Sequence, residues 1–220
     1  MHHGRTISGM SSSRICLGYD LRLSIRDDLQ PFPPGIQDQM LLPRSALISA
    51  DPAVWLRAPD IDDLLNNSDP NNIDEVEVNP LGLARDIGAL VEYCKVHRIS
   101  TDESTPVALT CFEEVVVALE ELYGKSYFRP VTSEAELKER GWNLAGFDAL
   151  EIRGLTSGLS GCGYKDEEKR QLQAYFGGAL NSVGLFRTSA WAARFGSVRG
   201  LRIHAHAPFI PVGVWVKCVR

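Results

Sequence analysis

From Ile15 to Ile25 the apolar residues Ile15, Leu17, Tyr19, Leu21, Leu23 and Ile25 fall on odd positions, and Cys16, Gly18, Asp20, Arg22 and Ser24 on even ones. A period of two sustained over this length predicts a β-strand with one buried and one wet face. A second alternation, Phe209 to Val219, sets Val212, Val214, Val216 and Cys218 against Gly213, Trp215, Lys217 and Val219, and predicts a strand that is largely apolar on both faces. Further strands are expected at Tyr127 to Val131 and at Leu144 to Ile152.

Between these strands the period changes to that of a helix. Leu83, Ile87, Leu90, Val91 and Cys94 recur three and four residues apart behind Asn79-Pro80, a capping residue followed by a proline at a tolerated position. Thr110-Cys111-Phe112-Glu113 has the form of a capping box, which predicts a helix with Phe112, Val115, Val116, Leu119 and Leu122 inward and Gly124 as its stop. Ser133 to Glu136 repeats that form ahead of a short helix. Asp166 to Val183 reads as a long helix, and Thr188 or Ser189 caps another that ends near Gly196.

Strands and helices in this mixture predict the α+β class: a mostly antiparallel sheet with about three main helices packed on it, on one face. The sequence pattern shows internal repeats and low-complexity tracts to be absent. Residues 1–13, rich in Gly and Ser, are expected to be a flexible N-terminal tail and residues 14–220 a single domain. Gln30 to Asn79, with Pro31, Pro33, Pro34, Pro43, Pro52, Pro59 and Pro70, reads as a long irregular insertion.

Composition narrows the class. The chain has 220 residues, 44% of them hydrophobic, which suits one ordinary globular domain and excludes collagen-like, disordered and coiled-coil chains. No run approaches the roughly 18 apolar residues of a membrane helix. The start lacks the apolar core of a secretory signal, so a cytoplasmic location with no membrane partner is expected. Five scattered cysteines without a Cys-x-x-Cys pair suggest neither a disulfide framework nor a zinc ribbon, and no cofactor is implied.

Charge is divided along the chain. Asp60 to Asp86 holds eight acids (Asp60, Asp62, Asp63, Asp69, Asp74, Glu75, Glu77, Asp86) and one base, Arg85, whereas no acid follows Glu168. The basic C-terminal third includes Phe186, Trp191, Phe195, Phe209 and Trp215, a mixture found in nucleic-acid binders. Its arginines are single rather than clustered, and with an overall pI of 5.6 nucleic acid is not the favoured partner.

Chemistry has one conspicuous place to reside, the Gly-rich stretch Leu155 to Tyr164 ahead of the Asp166 helix. It fits neither a P-loop, a nucleophile elbow nor a dinucleotide fingerprint, and a structural turn is the favoured reading. The enzymatic alternative takes Cys162 or Ser160 as nucleophile and His204 or His206 as base. His204-Ala205-His206 also has a spacing compatible with zinc, but no third or fourth ligand is identifiable, so no metal is expected.

Gly146-Phe147-Asp148, Ser157 to Tyr164, Asn181 to Phe186 and His206 to Trp215 together resemble segments of small uncharacterised bacterial proteins, some of the immunity type that neutralises toxins. The resemblance covers the chain from about Trp142 onward and transfers no catalytic residue. It implies an interaction protein that acts by stoichiometric binding to another protein, and the acidic tract points to a basic one as partner. The acidic tract supplies the expected contact set: Asp60, Asp62, Asp63, Asp69 and Asp74, with Trp55 as an aromatic anchor.

Overall fold

The computed structural model describes residues 13–23, 79, 83–96, 104–123, 130–151, 157–159, 166–198 and 209–217. Within them the strands β1 (Arg14–Leu23), β2 (Ser104–Phe112), β3 (Thr132–Ser133), β4 (Trp142–Glu151) and β5 (Phe209–Lys217) form one sheet in the order β3-β1-β2-β5-β4. Every neighbouring pair is antiparallel. The α-helices are α1 (Ile87–Val96), α2 (Glu113–Tyr123), α3 (Glu134–Glu139), α4 (Asp166–Phe176) and α5 (Ser189–Gly196). The class is α+β. None of these helices is long and apolar enough to cross a membrane.

Side chains of successive strand residues point to opposite faces, and each face has its own helices. Val116 and Leu119 of α2 bury against Leu17, Val107, Leu109, Val212 and Val214. On the other face, Leu137 of α3 joins Tyr19, Ala108, Trp142 and Trp215, while Leu90 and Cys94 of α1 join Leu21. Leu172 and Phe176 of α4 and Ala192 and Phe195 of α5 pack with Phe147, Ala149 and Phe209. Helices therefore cover both faces, where the sequence pattern predicted one. β1 also departs from strict alternation, because a bulge between Cys16 and Gly18 shifts its phase. Ile15 and Leu17 share the α2 cluster, Tyr19 and Leu21 lie on the opposite face, and Cys16 and Asp20 are buried.

The sheet contains a repeat that the sequence does not advertise. β1 and β4 each carry a bulge at the same place, ahead of Gly18-Tyr19-Asp20 in one and Gly146-Phe147-Asp148 in the other. In each, the bulge glycine lies under a turn. A Cβ on Gly18 would sit 2.6 Å from Leu83 Cβ, and one on Gly146 2.7 Å from Leu185 Cβ. An asparagine ties each turn to its strand: Asn79 Nδ2 donates to the Leu17 carbonyl at 2.8 Å, and Asn181 Nδ2 to the Ala145 carbonyl at 2.6 Å. Asn79 Oδ1 then accepts from Leu83 N–H and Asn181 Oδ1 from Leu185 N–H, both at 3.1 Å. Tyr19 exchanges two backbone hydrogen bonds with Ala84, and Phe147 two with Phe186.

The correspondence continues into the helices and the inner strands. Asp86 Oδ1 accepts from Ala89 N–H at the start of α1, as Thr188 Oγ1 does from Trp191 N–H at the start of α5. Pro106-Val107-Ala108-Leu109 of β2 matches Pro211-Val212-Gly213-Val214 of β5, with Pro106 opposite Leu21 and Pro211 opposite Ala149. Leu109 pairs directly with its own counterpart Val214, which places an approximate two-fold axis between these two residues.

Other expectations need local correction. Asn79 does not cap α1, which begins at Ile87, but ties the strand to Leu83. Thr110 belongs to β2 rather than to a capping box, because its hydroxyl is buried and accepts from Trp215 Nε1 at 3.0 Å; α2 begins at Glu113. The Asp166 helix ends at Phe176 and continues only as a 3-10 turn, Gly177–Ala179, since Asn181 is held in its turn. The Ser133 capping box and the Thr188 cap are present as read. Residues 1–12 of the expected tail and all but Asn79 of the Gln30 to Asn79 insertion lie outside the described residues.

The contact between bulge and turn makes a direct prediction. Gly146→Ala should destabilise the protein by about 1–3 kcal/mol, because the new methyl group must displace Leu185 or the backbone. Gly178→Ala, where a Cβ meets nothing within 4 Å, should stay within about 0.5 kcal/mol. Urea midpoints of the two variants check this.

Candidate functional site

The residues singled out from sequence as nucleophile, base and contact set (Cys162, Ser160, His204, His206, Trp55, Asp60, Asp62, Asp63, Asp69 and Asp74) lie outside the described residues. The described part of the Gly-rich loop, Ser157 to Leu159, is packed as a turn. Ser157 is buried and donates its hydroxyl to Asp148 Oδ1 at 2.8 Å, while the same hydroxyl accepts from Leu159 N–H at 3.0 Å. A Cβ on Gly158 would lie 2.5 Å from Phe195 Cε1, so the loop starts from a tightly filled corner.

A cation and three aromatic rings meet across the sheet on the face covered by α1, α3, α4 and α5. Tyr19 and Trp142 stack with ring centroids 5.5 Å apart, although β2 and β5 separate their strands. The Arg14 guanidinium similarly lies 4.5 Å from the Phe147 ring centre and 5.3 Å from that of Phe112. Such reach requires a curled sheet and small residues beneath. Ala108 and Gly213 supply them, and a Cβ on Gly213 would sit 2.5 Å from Thr110 Oγ1.

The approximate axis relates these two cross-sheet contacts: Tyr19 corresponds to Phe147, and Arg14 to Trp142. Arg14 is thus a cation in the place of an aromatic ring. Its head is stacked between two phenyl groups, with Nη1 3.7 Å from a Glu134 carboxylate oxygen and a buried Nε that makes no hydrogen bond. Sequence reasoning missed this group because a lone arginine at the first position of a strand reads as a wet end.

Two further features have chemical consequences. Helix α2 shows Glu113, Glu114, Val117, Ala118 and Glu121 on one exposed stripe; it contains four glutamates and no base. Val117 is 49% exposed within that stripe. The described cysteines, Cys16, Cys94 and Cys111, are free thiols in the interior. Burial pushes Cys16 and Cys111 up to about 12 and also raises Cys94, which keeps them protonated and weakly nucleophilic. Among the described residues no group of three or more His, Cys, Asp and Glu side chains is placed to hold a metal ion.

No family model, curated protein or solved structure matches this chain.

The two deeply buried thiols give a pH dependence with a definite sign. Their folded-state values lie above the ordinary 9.0, so their contribution to stability is complete below pH 9.0 and is lost as pH rises toward about 12. The denaturation midpoint should fall across that window, and the fall should be shallower in a Cys16→Ala/Cys111→Ala variant. Urea titrations of both proteins at several alkaline pH values check this.

Proposed function

We propose that the protein acts by stoichiometric binding of a basic protein partner, in the manner of a toxin-neutralising immunity protein, and performs no chemistry of its own. The observation that carries the reading is the α2 stripe, in which carboxylates flank exposed apolar side chains without an intervening base. An apolar centre with a charged rim is the usual anatomy of a protein interface. The eight acids and one base between Asp60 and Asp86 supply the same sign of charge and give the reading its second support. Complementary charge of this kind raises the rate of encounter with a basic surface and favours correct partners over wrong ones. The protonated interior thiols add weight, since Cys16, Cys94 and Cys111 serve the core as small apolar groups. We place this action in the cytoplasm, where the five cysteines stay reduced.

The test begins with capture of a partner from native lysate and proceeds to kinetics with the purified pair. A one-to-one complex with a basic protein is expected, and its association rate should drop about tenfold or more when Asp60, Asp62, Asp63, Asp69 and Asp74 all become Asn. Replacing Glu113, Glu114 and Glu121 by Gln should slow association further, with little change in thermal stability. Association rates indifferent to both sets of substitutions and to added salt would overturn the acidic-surface reading.

A further inference from the structure

Helices α4 and α5 are joined by a cluster of rings that continues to the surface. Phe176 is buried and meets Tyr175 edge-on with ring centres 4.7 Å apart, and Trp191 at 6.2 Å. Phe195 and Phe186 back it from within, at 5.2 and 5.8 Å. The outer rings are the open ones: Tyr175 is 51% exposed and Trp191 partly buried. Arg194, three residues after Trp191, is exposed and sets its guanidinium 5.0 Å from the centre of the Tyr175 ring and 5.4 Å from that of Trp191. A guanidinium held against two rings loses little freedom when a partner arrives, and its N–H fork matches a carboxylate. Tyr, Trp and Arg are also the residues that dominate binding energy at protein interfaces.

Charge in this part of the chain has one sign, since no acid follows Glu168. Arg187, ahead of α5, is exposed as well, and its Nε donates to the Leu180 carbonyl at 3.0 Å, which steadies the side chain against the fold. Helix α2 presents the converse: Glu113, Glu114 and Glu121 around Val117, which is 49% exposed. It packs on Leu17, Val107 and Val212, whereas α4 and α5 pack on Phe147, Ala149 and Phe209. The sheet therefore stands between the two surfaces, and α2 cannot reach the α4–α5 surface of its own molecule. Opposite charges around exposed apolar groups, on opposite sides of one molecule, are an arrangement that a second copy completes.

We propose that the surface formed by Tyr175, Trp191 and Arg194 docks helix α2 of a second copy of this chain. Val117 of the incoming helix lies on the Tyr175 ring, and a carboxylate of Glu114 or Glu121 takes the Arg194 guanidinium. Seven residues separate those two glutamates, about 10 Å along a helix axis, so they bracket Val117 on either side. Because the two surfaces differ, the contact is head-to-tail and leaves one of each kind free at the ends of a pair, from which longer chains can grow. Each copy carries a net charge of −5, so the attraction is local and salt screens it. The inference draws on the α2 stripe that the proposed function assigns to a basic protein, and such a partner competes with the second copy. Self-association is measured on the purified chain alone, so either reading can fail without the other.

The test is sedimentation velocity of the full-length protein from about 1 µM to about 1 mM. The sedimentation coefficient should rise with concentration and fall back as salt is added. Arg194→Ala and the double variant Glu114→Gln/Glu121→Gln should each weaken association about tenfold or more. All three substitutions fall on exposed residues, and urea midpoints verify that the variants are folded. An equimolar mixture of the two variants keeps one intact α2 and one intact α4–α5 surface. It should form a one-to-one pair that grows no further, at concentrations where each variant alone is monomeric. A chain that sediments as a monomer throughout would overturn the proposal. So would variants that associate as the unmodified chain does, or a mixture no more associated than its components.

Discussion

Two glycines let a turn seat directly against its strand, and the rest of the sheet is arranged around that contact. At Gly18 and again at Gly146 a turn comes so near the strand that a single carbon atom would not fit beneath Leu83 or Leu185. The bulge beside each glycine turns the local backbone, and an asparagine amide satisfies the carbonyl so released. Once the turn is seated, Tyr19 and Phe147 are paired on their outer sides to Ala84 and Phe186, which closes much of each edge and directs α1 and α5 onto the same face. Loss of the close approach would unseat the turn, its asparagine and the helix behind it together.

The interior reflects the same duplication with one exchange. Tyr19 against Trp142 is a purely aromatic cross-sheet contact, whereas Arg14 against Phe147 is a cation on a ring. If either half were paired with another copy of itself, it would set Arg14 opposite Tyr19, or Trp142 opposite Phe147. The mixed pair therefore distinguishes the two halves at their shared surface. Trp215 Nε1 and the Thr110 hydroxyl, which also occupy corresponding positions, satisfy one another in the middle at 3.0 Å.

Much of the architecture was legible in the chain. β1 and β5 follow from period-two alternation, β4 was expected over nearly its observed span, and the Ser133 and Thr188 caps were read correctly because capping is local chemistry. Thr110 and Asn79 were misread for a common reason. Each has the composition of a cap, but the Thr110 hydroxyl serves Trp215 across the sheet, and Asn79, tied to Leu17 through Nδ2, gives its Oδ1 to Leu83 ahead of α1. The duplication was hidden because its signature is carried by short pieces at unequal spacing: Asn79 lies 62 residues from Leu17, whereas Asn181 lies 36 from Ala145. Arg14 left no trace in the pattern, since curling of the sheet is not encoded in any local period. The acidic character was plain from composition, and the helical spacing of Val116 and Leu119 already set Glu113, Glu114 and Glu121 on the wet side of α2, where they lie.

The pairing of Leu109 with Val214 bears on how the protein comes into being. Thr110 and Trp215, bonded beside it, are 105 residues apart in the chain, so the centre of the sheet joins segments far apart in the sequence. During synthesis β1 and β2 leave the ribosome long before β5 exists. In that interval β2 is itself an edge, with the seam of the future sheet open along Val107 to Thr110. Contacts of such sequence separation close slowly. The completed strand β2, sheltered on both sides in the finished molecule, is thus the nascent chain's most vulnerable one, and its protection depends on the last strand to arrive.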